Sequence, residues 1–402
     1  MNNDVATPLL CTEAGVRRVQ KELRGSGVDG WLLYEFHGVN PIAVTMLGLG
    51  KTTRRAFVLI PAEGDPVALI HAIEASSWRH WPFPTVSYSG WRELDERLAD
   101  LLEGRKRLAA EVSPGGAVPT LDYLPAGIGG VILSHGVELV SSGDLVSRFH
   151  SVLSESQVAQ HREAAKIVAS VAEHAFARAA SAIRAGSPTC EGALTEWIVS
   201  ELTRTGLVVG PSCIVAIGPR AADPHYAPIG DGETISAGDL LLIDLWGSHE
   251  GGAYADQTWM GFMGREPDGR TVAIWEAVRE ARDGAVRFLR ERWAEGAETR
   301  GSEVDDVARA VIDEAGYGEF FVHRLGHSMD IDLHGSGPNL DNLETRDDRV
   351  LLPGVAFSVE PGIYVPDDIG VRSEINVHMG PDGPEVTPPD PQESIFLFSV
   401  AD

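Results

Sequence analysis

Two apolar runs in the second half of the chain each carry an acid where a strand should bury its side chains. They are Asp244 in 240-LLLIDLW-246 and Glu360 in 356-AFSVEPG-362. An ionised carboxylate is expensive to bury unless it is paired, hydrogen-bonded or coordinated to a metal. One such residue fits a core ion pair, whereas several entering the same cavity demand positive charge. Two further acids flank strand-like runs, Asp256 in YADQTW and Glu374 in GVRSEINV. Any fold for this chain has to place these four carboxylates.

A histidine-rich stretch supplies the complementary chemistry. Residues 323-HRLGHSMDIDLHG-335 contain three histidines and two aspartates directly after a helical segment. Asp244, Asp256, Glu360 and Glu374 with a neutral His327 carry four negative charges, the number that two divalent cations neutralise. A bridging carboxylate lets so few residues hold two ions about 3.5–4 Å apart. Spacing alone leaves two readings open, a metal centre and a set of scattered acids that stabilise the fold.

The rest of the chain bounds the answer. At 402 residues it is long enough for two domains. Helical periodicity over 13–27 precedes a strand at 30–36, two strands in RRAFVLIPAEGDPVALIHA, and a helix from Trp91 to about Leu108. These elements make a small α/β domain over residues 1–151. A long helix from about Ser154 opens a second domain, 152–402, with a helix from about Cys190 and helices near 271–294 and 302–315. Its strands are IVAIG, LLLIDLW, AFSVEPGIYV and SIFLFSV. Several of them are joined by turns rather than crossover helices, so the fold class is α+β. Asn40 reads as a turn residue.

Acidic residues outnumber basic ones 59 to 33, a formal charge of −26. Such a surface repels phosphate backbones and anionic lipid, so no nucleic acid or membrane partner is expected. The first 150 residues offer no glycine fingerprint joined to a strand and helix and no phosphate loop. The N-terminus lacks a basic start with an apolar run, and no later segment is apolar for 18 residues, which leads to the expectation of a soluble, cytoplasmic protein. Cys11, Cys190 and Cys213 are too few and too scattered for a disulfide framework and read as buried free thiols.

Taken together, IDLWGSHEGGAYADQTW, VHRLGHSMDIDLHGSGP, FSVEPGIY and GVRSEINV resemble the pita-bread metallopeptidases, which include Xaa-Pro dipeptidase, Xaa-Pro aminopeptidase, methionine aminopeptidase and the related creatinase. The resemblance covers residues 152–400 and implies a pita-bread catalytic domain behind a creatinase-like N-terminal domain. It implies that Asp244 is a terminal ligand of one metal, Asp256 and Glu374 are bridges, and His327 and Glu360 hold the second metal. The implied cofactor is two divalent ions, Mn²⁺ first, with Co²⁺, Zn²⁺ and Fe²⁺ as alternatives.

The resemblance also assigns His225, His323, His334 and Arg372 to the substrate site. It gives Glu360 a second role in moving the proton of the attacking water, and gives His334 with His225 the developing oxyanion. Arg372 has two possible roles, contact with a substrate carboxylate or a salt bridge to an acidic ligand. His323 likewise either touches substrate or orients a ligand from behind. Tyr254 and Tyr364 belong near the metal strands, and Thr258 either bonds a ligand carboxylate or packs in its strand. The implied reaction is hydrolysis of the Xaa-Pro bond in dipeptides, with cleavage of longer peptides or of a non-peptide C–N bond as alternatives. The implied assembly is a homodimer, and the first domain is expected to limit substrate length.

The sequence departs from the family pattern in three places. His327 is followed by SMDID instead of a glycine-rich run, His334 is followed by GSGP instead of an acid, and the first acidic motif is longer by one residue without an arginine after its threonine. These changes bear on substrate choice more than on metal binding. Asp330 and Asp332 are expected at the pocket rim.

Overall fold

In the computed structural model, which describes residues 7–210 and 212–400, the chain divides into two units, Met1–His150 and Ser151–Asp402. The first begins with α1 (Glu13–Ser26), opened by the Thr12 side chain, which accepts from the Gly15 N–H, and stopped at Gly27, where φ is 69°. Glycine takes that left-handed conformation without a Cβ penalty. There follow β1 (Gly30–Glu35), α2 (Pro41–Leu47), β2 (Ala56–Pro61), β3 (Val67–His71), β4 (Thr85–Tyr88), α3 (Trp91–Leu102), β5 (Arg107–Ala110), α4 (Ala126–Ser134), β6 (Glu138–Ser141) and α5 (Gly143–Phe149). The six strands make one mixed sheet ordered β4-β3-β2-β1-β5-β6. Leu33, Val58 and Ile60 pack into one core, while Leu32, Phe57 and Leu59 pack into another. That two-sided burial is why β1 and β2 read as unbroken apolar runs.

Two expectations are corrected in this unit. The helix starting at Trp91 ends at Leu102 rather than near Leu108, because Gly104, at φ 74°, turns the chain into β5. Asn40 is more than a turn residue. It caps α2 by accepting from the Ala43 N–H at 3.1 Å and donates to the Tyr34 carbonyl and the buried Glu111 carboxylate.

The second unit opens with α6 (Glu155–Arg184), whose start is fixed by a capping box between Ser154 and Gln157. Next come α7 (Glu191–Arg204), β7 (Ile214–Ile217), β8 (Leu240–Gly247), β9 (Ala255–Phe262), α8 (Gly269–Ala294) and α9 (Gly301–Glu314). The remaining strands are β10 (Ser328–Met329), β11 (Ala356–Val359), β12 (Gly362–Val365), β13 (Ile369–Arg372), β14 (Ile375–Gly380), β15 (Gly383–Thr387) and β16 (Phe396–Leu397). They form the sheets β16-β9-β8-β7 and β10-β11-β14-β15 and the hairpin β12-β13. Every pairing is antiparallel except β16 with β9. AFSVEPGIYV is therefore two strands, broken at Glu360-Pro361, where proline has no N–H for the ladder. In SIFLFSV only Phe396–Leu397 pairs.

Strand alternation sets the site. Leu241, Ile243 and Leu245 of β8 pack with α6 and α7, whereas Leu242 joins the core under α8. Asp244 shares the Leu242 side by the period of two. Its cross-strand partner is Thr258, and that of Trp246 is Asp256, so Asp244, Asp256 and Thr258 project from one face. Cys11 and Cys213 are buried free thiols, but Cys190 is only half-buried. No described helix is long and apolar enough to cross a membrane.

His161 of α6 ties this unit together from inside. Its Nδ1 lies 2.6 Å from the Tyr254 carbonyl and its Nε2 2.7 Å from the Thr387 hydroxyl. Burial holds its pKa down, to about 4 from an ordinary 6.5. The unfolded chain then takes up a proton near pH 6.5 that the folded chain refuses until about 4, so this contribution to stability is full above 6.5 and is lost as pH falls. Urea unfolding is expected to show wild type losing up to about 3 kcal/mol from this residue between pH 6.5 and 4. A His161→Asn variant, less stable at pH 7.5, should show a shallower decline.

Candidate metal centre

The four acids that the sequence left scattered meet at the junction of β8, β9 and the two strand breaks. Glu360 lies between β11 and β12, and Glu374 between β13 and β14, opposite each other because Ser358 pairs with Asn376 and Gly362 with Arg372. Donor atoms of Asp256, His327 and Glu374 lie within 4.8 Å of one another. His327 Nε2 is 3.5 Å from Asp256 Oδ2 and 3.5 Å from Glu360 Oε1. Asp244, Asp256, His327 and Glu374 are buried, and the Glu360 side chain is 15% exposed. All five line one cavity of about 630 Å³, a volume suited to a small molecule.

Close backbone approach puts His327 there. A Cβ on Gly326 would stand 1.9 Å from the Ser358 carbonyl oxygen, so only glycine fits. Ser358 then works twice, accepting from the His327 N–H at 2.9 Å and donating to Glu360 Oε1 at 3.1 Å. The His327 Nδ1 faces the Ser328 carbonyl at 3.2 Å and so carries the proton, which leaves the Nε2 lone pair aimed at the carboxylates. Asn376 holds the Asp256 backbone from both sides, accepting at 3.0 Å and donating at 2.7 Å.

Arg372 organises the other wall. One Nη donates to Asp244 Oδ2, Nε to Thr258 Oγ1 at 2.9 Å and the other Nη to Tyr364 OH at 3.1 Å. The salt bridge to an acid, one of its two expected roles, is thus formed, and Arg372 also lines the cavity with two further N–H groups. Thr258 in turn donates to Glu374 Oε2 at 2.8 Å, which settles its place beside a carboxylate. His323 also lines the cavity, and both of its ring nitrogens have partners within the chain, Nδ1 the Arg324 carbonyl at 2.7 Å and Nε2 the Tyr364 OH at 2.8 Å.

Electrostatics mark the cluster as unbalanced. Burial raises the pKa of Asp244, against the pull of Arg372. Glu374 is raised well above the carboxylate range by burial and by the charges of Asp256, Glu360 and Asp244. Asp256 is also raised by burial, with His327 opposing. Burial acts on Glu360 too, but His327, His323 and Arg372 outweigh it and leave that carboxyl lowered. His327 is raised, burial being overcome by the neighbouring carboxylates of Asp256 and Glu360. Asp244 Oδ1, Asp256 Oδ1 and Glu374 Oε1 are buried with no hydrogen-bond partner.

The remaining expected residues separate. His334 is exposed, lines the cavity and stacks edge-on to His327 at 4.3 Å between centroids. His225 is exposed and also lines the cavity. Tyr364 lies behind the wall, and Tyr254 is half-buried and outside the lining. Asp330 is not a rim residue. It is 2% exposed and accepts from the Asp332 and Ser336 N–H groups, folding the loop that carries His334. Asp332 is exposed. The lining residues Trp246, Arg324 and Glu344 had been missed. Glu344 accepts from the Arg324 N–H at 2.8 Å across 20 residues, a pairing with no local signature.

Substituting Gly326→Ala forces a backbone clash that no rotamer relieves. It is expected to destabilise the protein by about 2–3 kcal/mol in urea unfolding and to abolish tight metal binding by displacing His327. Wild-type stability would show that the Gly326 approach is not needed.

Comparison with known proteins gives the family and the fold. Residues 159–381 match metallopeptidase family M24. The probable dipeptidase PepE of Mycobacterium tuberculosis is 29% identical over 338 residues, 82% of each chain. The Xaa-Pro dipeptidase of Lactobacillus delbrueckii subsp. lactis is 34% identical over 233 residues, 58% of each chain. Among solved structures, dipeptidase PepE from Mycobacterium ulcerans superposes with a TM-score of 0.73 at 21% identity, covering 96% of this chain and 97% of that one. A prolidase from Thermococcus sibiricus gives 0.67 at 22% identity, covering 95% and 98%. The α+β arrangement of residues 151–402 is thus the pita-bread catalytic fold, and the chain belongs to metallopeptidase family M24 as a metal-dependent peptidase.

Proposed function

We propose that this protein hydrolyses the Xaa-Pro peptide bond, preferring dipeptides, with two divalent metal ions held by Asp244, Asp256, His327, Glu360 and Glu374. The observation that carries the reading is the set of buried, unpartnered oxygens on Asp244, Asp256 and Glu374 beside the bare His327 Nε2. Leaving buried carboxylate oxygens unsatisfied is costly, and a cation removes that cost. The donor set fits the group. An oxygen-rich shell with one imidazole suits Mn²⁺ first, with Co²⁺, Zn²⁺ and Fe²⁺ also compatible.

Such ions supply Lewis acidity toward the scissile carbonyl and lower the pKa of the attacking water. In this reading Glu360, the most open of the acids, accepts the proton of that water and returns it to the leaving nitrogen. His334 donates to the carbonyl oxygen as it becomes anionic, and His225 orients the substrate from the same cavity. Arg372, Thr258 and Tyr364 keep Asp244 and Glu374 aimed inward. The substrate class is supported by the relative named as an Xaa-Pro dipeptidase. Assigning the first unit as a creatinase-type domain, and the assembly as a homodimer, belongs to the same reading on family resemblance.

Metal-stripped protein is expected to be inactive and to recover with Mn²⁺, cleaving Xaa-Pro dipeptides ahead of Xaa-Pro-Xaa tripeptides and matched peptides lacking proline. Tripeptide preference would move the assignment to an Xaa-Pro aminopeptidase. A folded, metal-loaded protein that cleaves no peptide would overturn the reading and direct attention to other C–N bonds. In the active enzyme, His334→Ala should lower kcat by roughly 100-fold with little change in KM, and equal losses in affinity alone would argue against an oxyanion role.

A further inference from the structure

Arg282 lies on α8 and is 1% exposed, outside the cavity lining. Its Nη1 donates to Ser373 Oγ at 2.7 Å and to the Gln392 carbonyl at 2.9 Å. Its Nε donates to Asp283 Oδ1 at 2.8 Å, a carboxylate 40% exposed. Ser373 stands between Arg372 and Glu374 in the chain. Gln392 is itself clamped onto β9, accepting from the Met260 N–H at 2.9 Å and donating to its carbonyl at 2.6 Å.

The joint that Arg282 grips is weakly held by the sheet. β13 ends at Arg372 and β14 begins at Ile375, so Ser373 and Glu374 are outside the ladder. Their N–H groups reach Pro361 and Thr258 carbonyls only at 3.3 Å each. At this joint Arg372 and Glu374 turn to the cavity while Ser373 turns to α8, as alternation requires. A buried guanidinium with one half-exposed partner is a costly way to pack a helix on a sheet, because apolar side chains would do so without desolvating a charge.

We propose that Arg282 is a positioning residue for the metal centre: through Ser373 and Gln392 it fixes the Arg372–Glu374 joint against β9, and so sets the relation of Glu374 to Asp256. This rests on the five-residue metal centre proposed above. Supports behind metal ligands are typically worth ~10–100-fold in metal affinity.

The test is Mn²⁺ binding by equilibrium dialysis to the metal-stripped full chain, with the visible spectrum of Co²⁺ as a second readout. Arg282→Met, which leaves the Ser373 hydroxyl and the Gln392 carbonyl without their donor, should lower the urea midpoint, and the folded variant should bind Mn²⁺ ~10–100-fold more weakly with an altered Co²⁺ spectrum. Arg282→Lys should recover part of the affinity, and Ser373→Ala, which removes one contact and little packing, should lose about tenfold. If Arg282→Met does not fold, Ser373→Ala decides. Wild-type affinity and Co²⁺ spectrum in Ser373→Ala, and in Arg282→Met where it folds, would overturn the proposal. A wild type that binds no Mn²⁺ would remove the metal-centre reading itself, a failure visible before any variant is compared.

Discussion

Mutual repulsion among four carboxylates on one inner face is the constraint that the catalytic unit is built around. Antiparallel strands bring Asp244 and Asp256 together, and two strand breaks bring in Glu360 and Glu374. Burial amplifies the repulsion, because a low dielectric strengthens every charge–charge contact. Within the chain, Arg372 forms an ion pair with Asp244, and His327 lies 3.5 Å from both Asp256 and Glu360. Glu374 receives one hydroxyl from Thr258 and is still raised well above the carboxylate range. The remaining imbalance is a demand for cations.

The scaffolding around this cluster follows from that demand. Gly326 lets the backbone of the histidine motif come against β11, and Ser358 converts the close approach into paired contacts with His327 and Glu360. Arg372, Thr258, Tyr364 and His323 form a continuous chain of hydrogen bonds behind the acids. In the proposed mechanism these engaged residues fix geometry, while His334 and His225, exposed at the cavity, face the substrate. That division sorts the histidines better than their proximity to the motif does.

Much of this was legible in the residues. Asp244 inside LLLIDLW was conspicuous because apolar strands do not tolerate an unanswered acid, and the long helix read from about Ser154 is α6, which starts at Glu155. The division of labour between His323 and His334 was not legible, since it depends on Tyr364, 41 residues from His323, taking the second ring nitrogen. The Glu360-Pro361 break was hidden inside a run that looked like one strand. Asp330 misled because a polar SMDID segment reads as solvent-facing, while the carboxylate turns inward to hold its own loop. Register, strand breaks and long-range pairing carry this information, and local pattern does not.

The central claim is that the buried acids and His327 hold metal. Anomalous diffraction at the manganese edge, from crystals of the metal-stripped protein soaked in Mn²⁺, tests it most directly. The account predicts two peaks in the cavity, each within coordinating distance of residues from the set Asp244, Asp256, His327, Glu360 and Glu374. Full occupancy elsewhere with no peak among these five residues would contradict it.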